Sequence, residues 1–71
     1  MKEAIGRRLA LESSRLGLTG AEAAAGAGCS RRTWCYYESG RSSPDAVALA
    51  RLDKLGFDVL YIITGRRGEP L

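Results

Sequence analysis

Each apolar stretch of this chain is closed by a glycine, at Gly17, Gly28, Gly40, Gly56 and Gly65. Glycine enters positive φ without steric cost, so this punctuation predicts a succession of short helices, each ended by a left-handed residue. The starts are marked too, because a short polar side chain accepts hydrogen bonds from the free N–H groups of a first helical turn. Thr19 with Glu22 makes a capping box, and Ser30 stands ready to cap the next segment. Ser43 followed by Pro44 and Asp45 puts proline at the first helical position, and Asp58 caps the last segment. The expected elements are five helices, over residues 2–16, 20–27, 31–39, 44–55 and 58–64.

Two of these helices, joined by the tight turn at Gly28, have the layout of a helix-turn-helix over about residues 20–39. Advancing about 100° per residue from Arg31, Trp34 and Tyr37 fall at about 300° and 240°, on an inward wedge shared with Ser30. Opposite lie Arg32, Cys35 and Tyr36, with Arg31 and Thr33 at the margins. An outward face of two arginines, a small thiol and a tyrosine suits base edges and phosphates. Trp34 on the inward side reads as core, with base stacking as its alternative.

Composition narrows the class. The 71 residues, 45% hydrophobic and 27% charged, fit one small all-α domain near the size at which a single core holds unaided. The net charge is only +3, yet nine of the eleven cations are arginine, whose planar fork matches phosphate and the guanine edge. Arg31, Arg32 and Arg41 face Glu38 alone between Cys29 and Pro44, and Arg66 and Arg67 add to the tail. Any one of these pairs also fits an ordinary solvated face.

Other chemistries are excluded or left without support. The absence of histidine removes a histidine-based nucleophilic or general-base site, and with two cysteines there are too few ligands for zinc. No phosphate-binding glycine loop is present, so the chain does not read as an enzyme, and no cofactor or metal is expected. No apolar run approaches the ~20 residues of a membrane span, and the start Met-Lys-Glu-Ala is not of signal-peptide type, which gives a cytoplasmic expectation with free thiols. Cys35 beside two arginines is open to a redox reading, while Cys29 reads as a structural thiol.

The run Leu18-Thr19-Gly20-Ala21-Glu22-Ala23-Ala24-Ala25-Gly26-Ala27-Gly28-Cys29-Ser30-Arg31-Arg32-Thr33-Trp34-Cys35-Tyr36-Tyr37-Glu38-Ser39-Gly40, followed by Pro44, resembles the lambda-repressor/Cro-like, or XRE, family of helix-turn-helix regulators. The likeness runs from about Ile5 to Gly65 and takes in Leu55-Gly56-Phe57-Asp58-Val59-Leu60-Tyr61-Ile62-Ile63-Thr64-Gly65, similar to the family's final helix. It implies a compact five-helix DNA-binding domain over residues 1–65. In such proteins the helix after the turn lies in the major groove of double-stranded DNA, which makes Arg31, Arg32, Thr33 and Tyr36 the base-reading positions. Phosphate contacts fall to Gly20 and Ala21 and to Ser39, Gly40 and Arg41.

The chain departs from the family in three places. Gly20 stands where a glutamine is common, which leaves backbone N–H groups to meet phosphate there. Ser13 stands opposite Glu38 where an arginine is common, so Arg8, Arg15 or Arg41 is expected to pair with Glu38. Ala23 and Ala27 replace larger aliphatics, with Trp34 expected to fill the space.

One recognition helix reads too few base pairs for selectivity, so a homodimer on a two-fold site is expected. The helix over 58–64 is apolar around more of its circumference than one stripe needs, and Leu60, Tyr61 and Ile63 form the candidate dimer patch. Wrapping of that helix by its neighbours is the alternative. Residues 66–71, with glycine, proline and charge, read as a disordered tail. The resulting expectation is a sequence-specific regulator, a repressor of bacterial or phage type. The alternative is a helical protein-interaction module, such as an antitoxin-like partner.

Overall fold

Capping chemistry sets the helix starts. The Thr19 hydroxyl accepts from the Glu22 N–H at 3.1 Å while the Glu22 carboxylate accepts from the Thr19 N–H at 2.8 Å, which satisfies two free donors reciprocally. Ser30 and Asp58 accept from the N–H groups of Thr33 and Tyr61 in the same way. In the computed structural model, which describes residues 1–67, the helices are α1 (Lys2–Arg15), α2 (Gly20–Ala27), α3 (Arg31–Ser39), α4 (Ala46–Leu55) and α5 (Val59–Thr64). The five glycines expected to end helices all have positive φ, between 72° and 104°.

One start lies later than expected. Ser43 and Pro44 are outside helix α4, and Asp45 is its cap, its carboxylate accepting from the Ala48 N–H at 2.9 Å. A carboxylate one residue beyond the proline supplies the stronger acceptor and adds a favourable charge at the positive end of the helix. Pro44 is instead buried in the loop before α4.

The described residues form a small all-helical bundle without strands, and no helix in it is long and apolar enough to cross a membrane. α1 packs on α3 and α5, α2 packs on α3 and α4, and α4 meets α5. Leu9, Ala23, Ala24, Ala27, Trp34, Leu52, Phe57 and Ile62 make one buried cluster drawn from all five helices and the segment before α5. Trp34 is fully enclosed and meets the rings of Tyr37 and Phe57 edge-on, each with centroids 6.1 Å apart. The indole shares this cluster with Ala23 and Ala27 and is closed to any base. Truncating such a side chain costs about 3–5 kcal/mol.

α1 approaches α3 through a residue the sequence left unremarked. Gly6 is buried within α1, and a Cβ there would lie 2.6 Å from the Tyr37 carbonyl oxygen. Backbone carbonyls at a helix end cannot swing aside as a flexible side chain does. The missing Cβ therefore sets how closely α1 seats against the end of α3.

The principal polar feature of the interior is also on α1. Glu12 is fully buried and accepts four hydrogen bonds: from Arg15 Nε at 2.9 Å and Nη2 at 2.7 Å, from the Asp58 N–H at 2.7 Å, and from Arg67 Nη1 at 3.1 Å. The hydrogen bond from Arg15 outweighs the cost of burial and, with the Asp58 N–H and Arg67, holds the carboxyl well below its ordinary range, at about 2. The cluster ties α1 to the start of α5.

Arg67 is thus docked, where the sequence suggested a disordered tail from residue 66. Besides Glu12 it reaches Asp58 Oδ2 at 3.2 Å, and its guanidinium lies 3.8 Å from the centre of the Tyr61 ring. The rest of that expected tail, residues 68–71, lies outside the described residues.

Candidate nucleic-acid interface

Gly28 makes the turn between α2 and α3. At φ 80° it lets its own N–H return to Ala25 and the Cys29 N–H return to the Ala24 carbonyl at 3.0 Å. That closure brings α3 across α2 with Trp34 inward, which leaves the opposite side of α3 facing solvent. Arg31, Arg32 and Cys35 are exposed, and Thr33 and Tyr36 are half-buried.

The four candidate base readers differ in freedom. Arg32 has no hydrogen bond or ion pair among the described residues. Arg31 is folded back against the start of α2, with Nη1 3.8 Å from Cys35 Sγ. The Thr33 hydroxyl is engaged by the Ser30 hydroxyl at 3.0 Å, so it belongs in part to the cap. Tyr36 lies under the Arg41 guanidinium, 5.0 Å from the ring centre.

The candidate phosphate positions flank this face. Gly20 and Ala21 open α2, half-buried and exposed respectively. Ser39 ends α3, and Gly40 and Arg41 begin the loop after it, which wraps the Tyr36 carbonyl: Ser39 Oγ and the N–H groups of Arg41 and Ser42 all donate to it, at 3.2, 2.9 and 3.3 Å. Gly40, at φ 82°, packs so closely on α1 that a Cβ would lie 2.9 Å from the Glu3 Cα.

None of the three arginines expected beside Glu38 pairs with it. Arg15 is committed to Glu12, Arg8 donates to the Ile62 carbonyl at 3.3 Å, and Arg41 covers Tyr36. Glu38 is half-buried and still reaches solvent, whereas Glu12 is the carboxylate whose burial demanded partners. Ser13, opposite Glu38 in the sequence reading, turns its hydroxyl to the Leu18 carbonyl at 3.1 Å. The sequence also pooled Arg67 with the cations of α3, but its charge is spent internally.

On α5, Leu60 and Ile63 are 46% and 45% exposed and lie about 60° apart around the axis. Tyr61 is half-buried on another side, towards α1. Both thiols are free, and burial pushes that of Cys29 up.

A capped helix, a left-handed glycine turn and a second helix with an outward cationic face define a helix-turn-helix unit of the kind that binds DNA. The family model described as helix-turn-helix domain matches residues 4–58, and the chain belongs to that family. No curated protein and no solved structure matches the chain.

Proposed function

We propose that this protein is a sequence-specific regulator of the lambda-repressor/Cro-like type, a repressor of bacterial or phage type that binds double-stranded DNA as a homodimer. The observation that carries the proposal is the outward face of α3, where Arg32 stands exposed with no partner among the described residues, beside Arg31 and Tyr36 and flanked by Arg41. An arginine of this kind is available to grip guanine O6 and N7 with two parallel hydrogen bonds. Repression would follow from occupancy, the bound dimer excluding polymerase.

Dimerisation has support in the exposed pair Leu60 and Ile63 on α5, with Tyr61 at its side. Two recognition helices related by a two-fold axis would meet half-sites about one helical turn apart.

Selection of the protein on random-sequence duplex DNA tests the proposal. The expected product is a two-fold site, on which Arg32→Ala costs about 1–3 kcal/mol and relaxes preference at one base step. Binding without sequence preference, together with loss of a protein partner on Leu60→Asp, would turn the assignment towards an interaction module.

A further inference from the structure

Gly20 and Arg31 are separated by α2 and the turn, yet they touch. A Cβ added at Gly20 would stand 2.8 Å from both Cζ and Nη1 of Arg31 and 2.9 Å from its Nε. Non-bonded heavy atoms are stable at about 3.5–4 Å, so a side chain at position 20 would evict the guanidinium. On its other side the same group meets Cys35 Sγ, one turn further along α3. Arg31 is therefore held between the first residue of α2 and the outer face of α3, and no carboxylate pairs with it among the described residues. Arg32, the next residue, has no such restraint.

In a helix-turn-helix the first helix crosses the nucleic-acid backbone while the second enters the major groove. A cation that belongs to α3 but is held against the start of α2 is displaced from the base edges towards the strand. We infer that Gly20 is a positioning residue, its missing side chain leaving the space in which Arg31 lies towards a phosphate. Arg31 then supplies affinity and register, while Arg32 supplies base choice. The assignment rests on the DNA-binding reading above and divides between two arginines a task expected of both.

Single variants Gly20→Ala and Arg31→Ala and the double variant are titrated on the enriched duplex and on a scrambled duplex over a range of salt. Arg31→Ala should weaken both duplexes by the same factor. It should also make the slope of log K against log salt shallower by about 0.9, the signature of one lost phosphate contact. Gly20→Ala should act in the same direction in the wild-type background and add nothing once Arg31 is gone. Alanine favours helix over glycine, so thermal melting should show that this variant keeps its fold.

An Arg31→Ala variant with an unchanged slope and a relaxed base position would overturn the assignment. So would a Gly20→Ala loss of equal size with and without Arg31. Wild-type protein that enriches no duplex would remove the DNA reading itself, and the assignment with it.

Discussion

Two groups of arginines use the same side chain in opposite ways. Arg15 and Arg67 converge from α1 and the segment after α5 on the buried Glu12, where their charge is neutralised and their donors are filled. Among the described residues Arg31, Arg32 and Arg41 stand on or beside α3 without a carboxylate partner, and two of them lie against uncharged groups, Gly20 with Cys35 and the Tyr36 ring. Whether an arginine is a structural tie or a free cation is decided by the acceptor it meets in space, a carboxylate for Arg15 and Arg67 and a backbone carbonyl for Arg8. The arginine count alone therefore overstates the surface available to an anionic polymer.

The largest effect that separates the groups is on stability. Arg15→Ala would remove two of the four hydrogen bonds to a carboxylate that is fully buried. Because the arginine itself is half-exposed, the expected cost is below that for a pair buried on both sides, yet the largest among the Arg15, Arg67 and Arg32 variants. A domain of this size has little stability in hand, so urea unfolding should begin almost at once. Arg67→Ala should lower the urea midpoint clearly less, because three hydrogen bonds to Glu12 persist. Arg32→Ala should stay within about 0.5 kcal/mol of wild type. Equal losses for Arg15 and Arg32 would erase the distinction.

Acid sharpens the same contrast. The folded-state value of Glu12, about 2, lies below its ordinary 4.5, so its contribution is present above the unfolded value and lost as pH falls towards the folded one. The wild-type urea midpoint should therefore decline between about pH 5 and pH 2. In Glu12→Gln, less stable near neutral pH, this group's share of the decline should be absent, so the two proteins should converge towards pH 2. An identical pH profile for the two proteins would place the acid sensitivity elsewhere.

What could be read in advance follows from the range of the interactions. The caps at Thr19, Ser30 and Asp58 act over three residues, so each lies within a single stretch of sequence, as do the glycines that end the helices. Ser43 misled because two acceptors compete within three residues, and the carboxylate of Asp45 prevails over the hydroxyl. Glu12 was not singled out because the Asp58 N–H and Arg67 that satisfy it are 46 and 55 residues away. Gly6 is similar: nothing local distinguishes a glycine that admits a neighbouring backbone from one merely tolerated in a helix. The outward face of α3 was legible from helical periodicity, but the restraint on Arg31 depends on Gly20, in a different helix.

Arg41 gives the smallest and most discriminating test, since it stands between the two groups. Like Arg67 it lies over a tyrosine ring, at 5.0 Å where Arg67 is at 3.8 Å, yet it has no acidic partner among the described residues. An exposed stack of this kind contributes only about 0.5–1 kcal/mol, so the charge stays available to a phosphate beside the groove. Arg41→Ala should weaken enriched and scrambled duplexes alike, make the salt slope shallower by about 0.9, and leave the preferred sequence unchanged. Arg41→Lys should retain the slope, because it keeps the charge while giving up the flat guanidinium. If Arg41→Ala leaves the slope as it was and lowers only the urea midpoint, Arg41 belongs with Arg15 and Arg67. The free cations of the α3 face would then be Arg31 and Arg32 alone.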